Sequence, residues 1–369
     1  MTHEILYIVP SELEKVSNSK INGNIATRSI ILKQYDSLAQ ALKDVYSLRV
    51  HYRSLLFITK FEANSVEEIE YHLSLIKWRD WIPYGTFACR CSRRGTHTFK
   101  SIDIEKLCGS VILEKTSNLS VNLSKPDTIV RIIIDKCDVF VGLDLIGYDS
   151  MHKRGYRVFQ HPSALNPVLA YHLVLLAGNF NSLLDPTCGG GTILIEACHH
   201  KLNIPAGLFR KDNLAMIHLP FLKARTDVER VLKDVHFNNQ DCKGAPFVGI
   251  DNSPKILEGC LRNIINANCS QCIRLINSDI VIKSLQFDHK FDAIISNPPY
   301  GIRLGSPRKA LKVHKAIAEL ALRNLSPRGR MVVITPHLRL LAEYLNVQPT
   351  EQFKTFSGDL QVEIGVFEL

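Results

Sequence analysis

No apolar run in this sequence approaches the ~20 residues that span a bilayer, which excludes a membrane-embedded helical protein. The first residues, Met-Thr-His-Glu, carry no basic flank leading into an apolar signal core, so export is not expected and a cytoplasmic setting is. The 10 cysteines include no two pairs at metal-ligand spacing. Cys89-Arg90-Cys91 and Cys269-Ser-Gln-Cys272 each stand alone, so no metal site is predicted. The thiols are read instead as small core residues of a reduced, intracellular chain. The glycine-rich stretch at 189–191 is not followed by Gly-Lys-Ser/Thr, which argues against a P-loop phosphate cradle. Acidic residues are also in deficit: Lys+Arg number 45 against 36 Asp+Glu, a net charge of +9 that favours a polyanionic partner. What remains is an ordinary globular composition, 46% hydrophobic and 22% charged, in 369 residues, enough for two or three domains.

The most informative stretch is Asp292-Ala-Ile-Ile-Ser-Asn297-Pro298-Pro299-Tyr300-Gly301. A short apolar strand stops at Asn297, because neither proline can donate to a ladder and each forces its predecessor into an extended conformation. A stiff loop at the carboxyl end of a strand is where open α/β sheets bind ligands. The side-chain carbonyl of Asn297 and the backbone carbonyl of Pro298 can accept hydrogen bonds from a planar exocyclic amine. Tyr300 offers a face on which a base can stack. The motif resembles the Asn/Asp-Pro-Pro-Tyr loop of methyltransferases that alkylate amino groups of nucleobases.

Upstream, Ser182-Leu-Leu-Asp185-Pro-Thr-Cys188-Gly189-Gly190-Gly191-Thr192 reads as a strand, a glycine turn and a helix over 193–200. Glycine removes the Cβ that would block a ligand, yet the loop alone does not name its cofactor. Its Asp-Pro-x-Cys-Gly-x-Gly-Thr form resembles the first motif of S-adenosylmethionine (SAM) enzymes. Cys188 sits on that loop and is read as packing rather than as a nucleophile. Two more strands end in acids. Asp251 is placed to accept the hydroxyls of a ribose. Asp279, in enzymes of similar pattern, reads the adenine amino group. Helices are expected over 254–267 and 313–325, strands over 330–335 and 363–367, and a helix over 225–237 within a connection, 201–247, given no role.

The N-terminal half alternates strands near 5–9 and 55–59 with a helix over 37–46, and Ser65 with Glu68 forms a capping box for the next helix. A strand then carries Arg90 into the basic turn Arg93-Arg94-Gly95, and Lys100 precedes a helix from Ser101 to about 119. Strands follow over 128–136 and 138–145. The Arg93-Arg94-Gly95 turn, the Ser101-Ile-Asp103 helix start and the Asp144 strand resemble the THUMP domain, an RNA-binding module that follows a ferredoxin-like region in tRNA-modifying enzymes. The stretch His152-Lys153-Arg154-Gly155-Tyr156-Arg157 resembles the segment before the catalytic domain of THUMP-containing guanosine N2-methyltransferases. A helix is expected to start at Pro162-Ser163-Ala164 and run to about 177.

Over nearly the whole chain the sequence is similar to the archaeal type of these enzymes that acts at position 6 of tRNA. The resemblance implies an α/β Rossmann-like SAM-dependent methyltransferase fold behind an α+β ferredoxin-like/THUMP region. It implies a ferredoxin-like region at 1–60, a THUMP domain at 61–148, a basic linker at 149–162 and a catalytic domain at 163–369. Asn297, Pro298 and Tyr300 are then catalytic. Pro162, Ser163, Ala164, Asp185, Cys188, Gly189, Gly191, Thr192, Asp251, Asp279 and Asn297 hold SAM. Arg90, Arg93, Arg94, Lys100, Lys153, Arg154, Arg157 and Arg303 meet RNA. The product is N2-methylguanosine in the acceptor stem, made by a monomer with an accessory subunit left open. Another tRNA position or rRNA is the alternative target, because the Asn-Pro-Pro-Tyr form is shared with bacterial enzymes making this modification in 23S rRNA. It is also shared with adenine-N6 DNA methyltransferases, but those lack a THUMP-like partner domain. A non-catalytic RNA-binding protein that kept the fold is the rival of a different class, and it predicts a damaged glycine loop or a missing Asn297.

Overall fold

The computed structural model describes residues 3–161, 163–237, 247–282, 285–301 and 307–369. Its contacts sort the chain into two compact units: Met1–Val9, Ile21–Met151 and Arg210–His236 in one, and Pro10–Lys20, His152–Phe209 and Phe237–Leu369 in the other.

The first unit begins with β1 (His3–Ile8), where Ile5, Leu6 and Tyr7 are all buried, the mark of an interior strand covered on both faces. Helix α1 (Glu14–Ile21) follows, most of it counted to the second unit. Then come β2 (Asn24–Thr27), β3 (Ile30–Tyr35), α2 (Leu38–Ser47) and β4 (Arg53–Glu62). Helix α2 starts where expected, with extended Ser37 accepting from the Gln40 N–H at 3.2 Å and Ala41, Leu42 and Val45 buried. Helix α3 (Val66–Ser74) is capped by Ser65, but the Glu68 carboxylate closes on the Asn64 N–H at 2.7 Å, one residue before the expected box partner. After α4 (Trp78–Trp81) and β5 (Gly85–Arg94), helix α5 (Ser101–Lys115) ends about a turn earlier than predicted. The freed residues form β6 (Leu119–Val121), which pairs in parallel with β5. Strands β7 (Thr128–Asp135) and β8 (Asp138–Asp144) complete one continuous sheet, ordered β2-β3-β1-β4-β8-β7-β5-β6. The N-terminal region and the segment that resembles a THUMP domain therefore share a single sheet.

The second unit opens with α6 (Pro167–Leu176). Its start differs from the expectation: Asn166, not the Pro162–Ala164 stretch, is the cap, its side chain accepting from the Val168 N–H at 2.9 Å, with Pro167 at the first helical position. Ser163 and Ala164 lie in the turn before it. Next are β9 (Leu183–Asp185) and α7 (Thr192–Lys201). Among the described residues, the connection after α7 holds a 3-10 helix (Leu208–Asn213) and the short α-helices α8 (Ala215–His218), α9 (Pro220–Lys223) and α10 (Val228–Lys233), the last shorter than the helix expected over 225–237. Helices α8 to α10 fall in the first unit, where α10 packs on α2. Then follow β10 (Phe247–Asp251), α11 (Pro254–Asn266), β11 (Ile273–Asn277), β12 (Phe291–Ser296), α12 (Pro307–Asn324), β13 (Leu325–Thr335), α13 (Leu338–Leu345), β14 (Glu351–Ser357) and β15 (Leu360–Glu368).

The second sheet is ordered β11-β10-β9-β12-β13-β15-β14, parallel from β11 to β13, with antiparallel β15 and β14 closing one side. Successive strands run outward one way from β9 through β10 and β11, and the other way from β12 through β13. The order reverses between β9 and β12, so a crevice opens at their carboxyl ends. Ile294, Ile295, Met331, Val332 and Val333 are fully buried beneath it.

Candidate active site

A glycine turn follows β9. Its backbone is pinned from both sides: the Cys188 N–H donates to the Ile250 carbonyl at 2.8 Å, and the Gly191 N–H to the Cys188 carbonyl at 2.8 Å. Gly191 caps α7 with φ +79°, and a Cβ there would stand 2.6 Å from Cys260 Sγ. That glycine is required by packing against α11. A Cβ added at Gly189 or Gly190 would meet His161 at ordinary contact distance, 3.9 and 3.5 Å, while Gly189 takes φ +50°, a conformation that favours glycine. Asn263 of α11 staples the turn to the segment before it, donating to the carbonyls of Gly190 and Phe159 at 3.0 Å each and accepting from the N–H of Phe159 at 2.8 Å. The Cys188 thiol is pushed well up by its hydrogen bond with Cys260 and by burial, away from the thiolate that a nucleophile requires.

Three acids sit above the strand ends. Asp185 is only 1% exposed, and burial raises its carboxyl to about 8, with the charge of Asp251 adding to the rise and the Thr187 N–H, at 3.1 Å, opposing it. Asp251 accepts from the N–H groups of Gly189 at 3.2 Å and Ser253 at 2.9 Å, so it orders the glycine turn while keeping lone pairs toward the cavity. Asp279 accepts from the Val281 N–H at 2.9 Å and from the Asn252 amide at 3.3 Å.

Across the crevice, β12 delivers the Asn-Pro-Pro-Tyr loop. Thr187 and Ser296 hydroxyls, 2.8 Å apart, tie the ends of β9 and β12 together. The Tyr300 hydroxyl donates to Asn297 Oδ1 at 2.7 Å, and burial pushes that phenol up to about 12. Tyr300 thus turns its hydroxyl back on the asparagine and leaves one Oδ1 lone pair for another donor. His337, just before α13, donates from Nε2 to the Tyr300 carbonyl at 3.1 Å.

One cavity of about 490 Å³ joins these parts, within the ~300–1,000 Å³ of small-molecule sites. Asp185, Cys188, Gly189, Thr192, Asp251 and Asp279 line one side of it, with Ser163 and Ala164 at the rim. Asn297, Pro298, Pro299 and Tyr300 line the other. Ile256 and Ile280 also line the cavity and offer apolar surface for a flat ring. The sequence gives no cavity role to His161 or to the β14–β15 turn at Ser357 and Gly358, and marks Lys309 only as part of a basic stretch suited to RNA phosphates; all of them line the cavity. Nothing in their spacing marks them. His161 stands in what reads as a linker, and the turn lies about 60 residues beyond the motif it faces.

The expected RNA contacts divide. Arg154 is corrected: it is 1% exposed and locked against Glu196, Nε to Oε1 at 3.1 Å, so it holds the fold together and does not reach RNA. Arg157 is turned inward too, onto Thr192 Oγ1 at 2.9 Å and the Leu165 carbonyl. Lys153 is exposed. Pro162 and Arg303 lie outside the described residues. In the first unit, Arg93 and Lys100 are exposed, Arg94 is half exposed beside Asp135 at 3.0 Å, and Arg90 donates to the Leu123 carbonyl at 2.6 Å. His97 bridges the turn, with Nε2 on the Lys136 carbonyl at 2.7 Å.

Residues 63–144 match the THUMP domain, and residues 154–364 match the family described as RMKL-like, methyltransferase domain. The chain is 33% identical over 311 residues to the tRNA (guanine(6)-N2)-methyltransferase of Methanocaldococcus jannaschii, spanning 81% of this chain and 80% of that one. It is 31% identical to the protein of the same name from Archaeoglobus fulgidus, over 76% of this chain and 69% of that one. Its fold matches the crystal structure of SMU.472, a putative methyltransferase complexed with SAH, at a TM-score of 0.84 and 20% identity, over 99% and 98% of the two chains. On the domain match and the archaeal relatives together, this chain belongs to the THUMP-bearing, RMKL-like family of SAM-dependent methyltransferases.

Proposed function

We propose that this enzyme methylates the exocyclic N2 of guanosine in tRNA, at position 6 of the acceptor stem, with Asn297, Pro298 and Tyr300 as its catalytic residues. The observation that carries the reading is the single cavity whose two sides are the amine-accepting loop and the acid-and-glycine strand ends. The residues fit SAM: Asp185, buried without a cationic partner among its described contacts, suits a ligand bearing positive charge. Asp251 would take the ribose hydroxyls and Asp279 the adenine amino group, between Ile256 and Ile280. When bound, SAM supplies a methyl group already activated by its sulfonium.

The chain's own work is positioning. Asn297 Oδ1 and the Pro298 carbonyl would accept the two N–H groups of the guanine amine, aim its lone pair and stabilise the positive charge that grows on nitrogen. A strong base is unnecessary, since the methylated amine sheds its proton readily. A base in a paired stem has to leave its stack to reach this loop, and Tyr300 would hold it there. Arg93, Arg94 and Lys100, in the 61–148 region, would grip the RNA by phosphate and shape. The archaeal relatives, named for this reaction, support the choice of tRNA and of guanine N2. Buried thiols at Cys108, Cys198 and Cys260 are free, as a reducing, cytoplasmic setting implies, whereas Cys272 is disulfide-bonded and departs from the expectation that every thiol is reduced. The reading takes the enzyme as a monomer, so sedimentation at 41.6 kDa is expected and a multiple of it would revise that point.

The test combines purified protein, tritium-labelled SAM and unmodified tRNA with nucleoside analysis. N2-methylguanosine is expected from the natural sequence, with Asn297→Ala slower by about 100-fold or more. Label entering rRNA instead would change the substrate. SAM binding without label in any RNA would sink the enzymatic reading in favour of an RNA-binding protein.

A further inference from the structure

The Asn297–Tyr300 loop has few ways left to move. Pro298 and Pro299 fix their own φ near −65°, and each holds the residue before it extended. Gly301 takes φ +74°, a conformation open to glycine. The softest remaining motion is therefore rotation of the peptide plane between Tyr300 and Gly301. The carbonyl of that same peptide accepts from His337 Nε2 at 3.1 Å. Losing this bond would release the Tyr300 backbone from its anchor on His337, and the Tyr300 ring carries the hydroxyl bonded to Asn297 Oδ1 at 2.7 Å.

His337 is itself held. A carbonyl can only accept, so His337 Nε2 carries a proton. The His337 backbone N–H donates to Thr335 Oγ1 at 3.1 Å, and Thr335 Oγ1 lies 2.7 Å from His314 Nε2. His314 Nδ1 faces the Ala310 carbonyl at 2.8 Å and must donate to it. Burial lowers the His314 pKa and keeps the ring neutral, so its Nε2 accepts and the Thr335 hydroxyl donates. The His314 and His337 rings meet edge to face, with centroids 5.3 Å apart. Every bond from Ala310 on α12 to Tyr300 thus has an assigned donor, with His337 donating on both sides.

We propose that His337 is a positioning residue for methyl transfer, fixing the Tyr300–Gly301 peptide and through it the Asn297 acceptor, with Thr335 and His314 setting its orientation. This rests on the reading of Asn297 as the group that aims the amine. His337 is not among the residues that line the cavity, so its loss is expected to act on the transfer step and not on binding.

The test compares His337→Phe, which keeps a ring but loses the donor, with His337→Gln, which keeps an N–H within reach. Single-turnover methyl transfer is expected to fall about 10- to 100-fold in His337→Phe and to return to within about threefold of the natural protein in His337→Gln. SAM affinity should stay within about twofold in both. Thr335→Val, which preserves shape and removes the hydroxyl, should show a smaller fall in the same direction and keeps the question open to decision if His337→Phe fails to fold. Equal rates in His337→Phe and His337→Gln would overturn the proposal. So would a loss of rate matched step for step by loss of SAM affinity and melting temperature, which is the signature of packing. The Asn297 side-chain amide resonance supplies a readout independent of activity. It should shift in His337→Phe and stay in place in His337→Gln, even if the natural protein methylates no RNA and the functional reading fails.

Discussion

Each unit buries an aspartate at the end of a strand, and the two are treated in opposite ways. Asp144, at the end of β8, is fully buried and saturated: Oδ2 meets Arg53 at 2.9 Å and Arg131 at 2.8 Å, while Oδ1 accepts from the N–H groups of Ile146 and Gly147 at 2.9 and 3.1 Å. Asp185, at the end of β9, is as deeply buried but among the described residues receives one backbone N–H and faces the like charge of Asp251. Glu196 shows that the second unit can also neutralise a buried acid, with Arg154 at 3.1 Å and the Tyr156 hydroxyl at 2.9 Å. The shortage at Asp185 is therefore local. An acid whose cations are built in serves the fold, and an acid left short of them is the one we propose for a cationic ligand.

Three experiments would break or sharpen this contrast. The largest effect is expected from Asp144→Ala, which leaves Arg53 and Arg131 facing each other with their carboxylate gone. Unfolding in denaturant should show a loss of about 3–5 kcal/mol. A loss below about 1 kcal/mol would mean that the cluster is no structural keystone.

Asp185→Asn should act in the opposite sense. Its folded pKa of about 8 lies above the unfolded value near 4, so the unliganded protein binds the extra proton when folded and loses stability as pH rises from about 4 to 8. Removing the charge should leave the unliganded protein at pH 8.5 more stable by about 1 kcal/mol or more, while SAM affinity falls about tenfold or more. If melting temperature and affinity dropped together, Asp185 would be structural like Asp144.

The smallest effect is the pH dependence of cofactor binding. Binding a cationic ligand favours the ionised carboxylate, so SAM affinity should climb toward pH 8, by less than about tenfold per unit. Calorimetry in buffers of differing ionisation heat should detect proton release, and Asp185→Asn should abolish it. An unchanged profile in the variant would place the titrating group elsewhere.

Much of this was readable from residues alone, and the exceptions have physical causes. The Asn-Pro-Pro-Tyr loop and the glycine turn stand out because their chemistry is local: φ restriction, absent Cβ, a strand that must stop. Ser37 and Ser65 announce their helices for the same reason. The start of α6 was misplaced because two Pro-containing starts lie five residues apart, and only packing selects Asn166-Pro167 over Pro162-Ser163. Strand β14 went unseen because it pairs with β15 alone in the order of the sheet and carries exposed Glu351, Gln352 and Lys354, so its periodic signal is weak. Arg154 was assigned to RNA because charge in a sequence says nothing about depth; its partner Glu196 is 42 residues away. His337 gives no sign in the sequence, since its importance lies in a carbonyl 37 residues earlier.

The chain's passage between its two units has a consequence for how it is made. Residues 10–20 belong with the second unit, where the Ser17 hydroxyl lies 2.7 Å from His172 Nε2 in α6, and residues 210–236 belong with the first. As the polypeptide leaves the ribosome, its opening helix meets its partner only after some 150 further residues have been synthesised. The N-terminal sheet, in turn, waits for α8 to α10 before its unit is whole. A nascent chain halted near residue 151 therefore carries one helix without its partner and one unit without its last segment. Cutting the gene at the apparent border between RNA-binding and catalytic halves should yield two fragments that fold poorly apart and recover when expressed together.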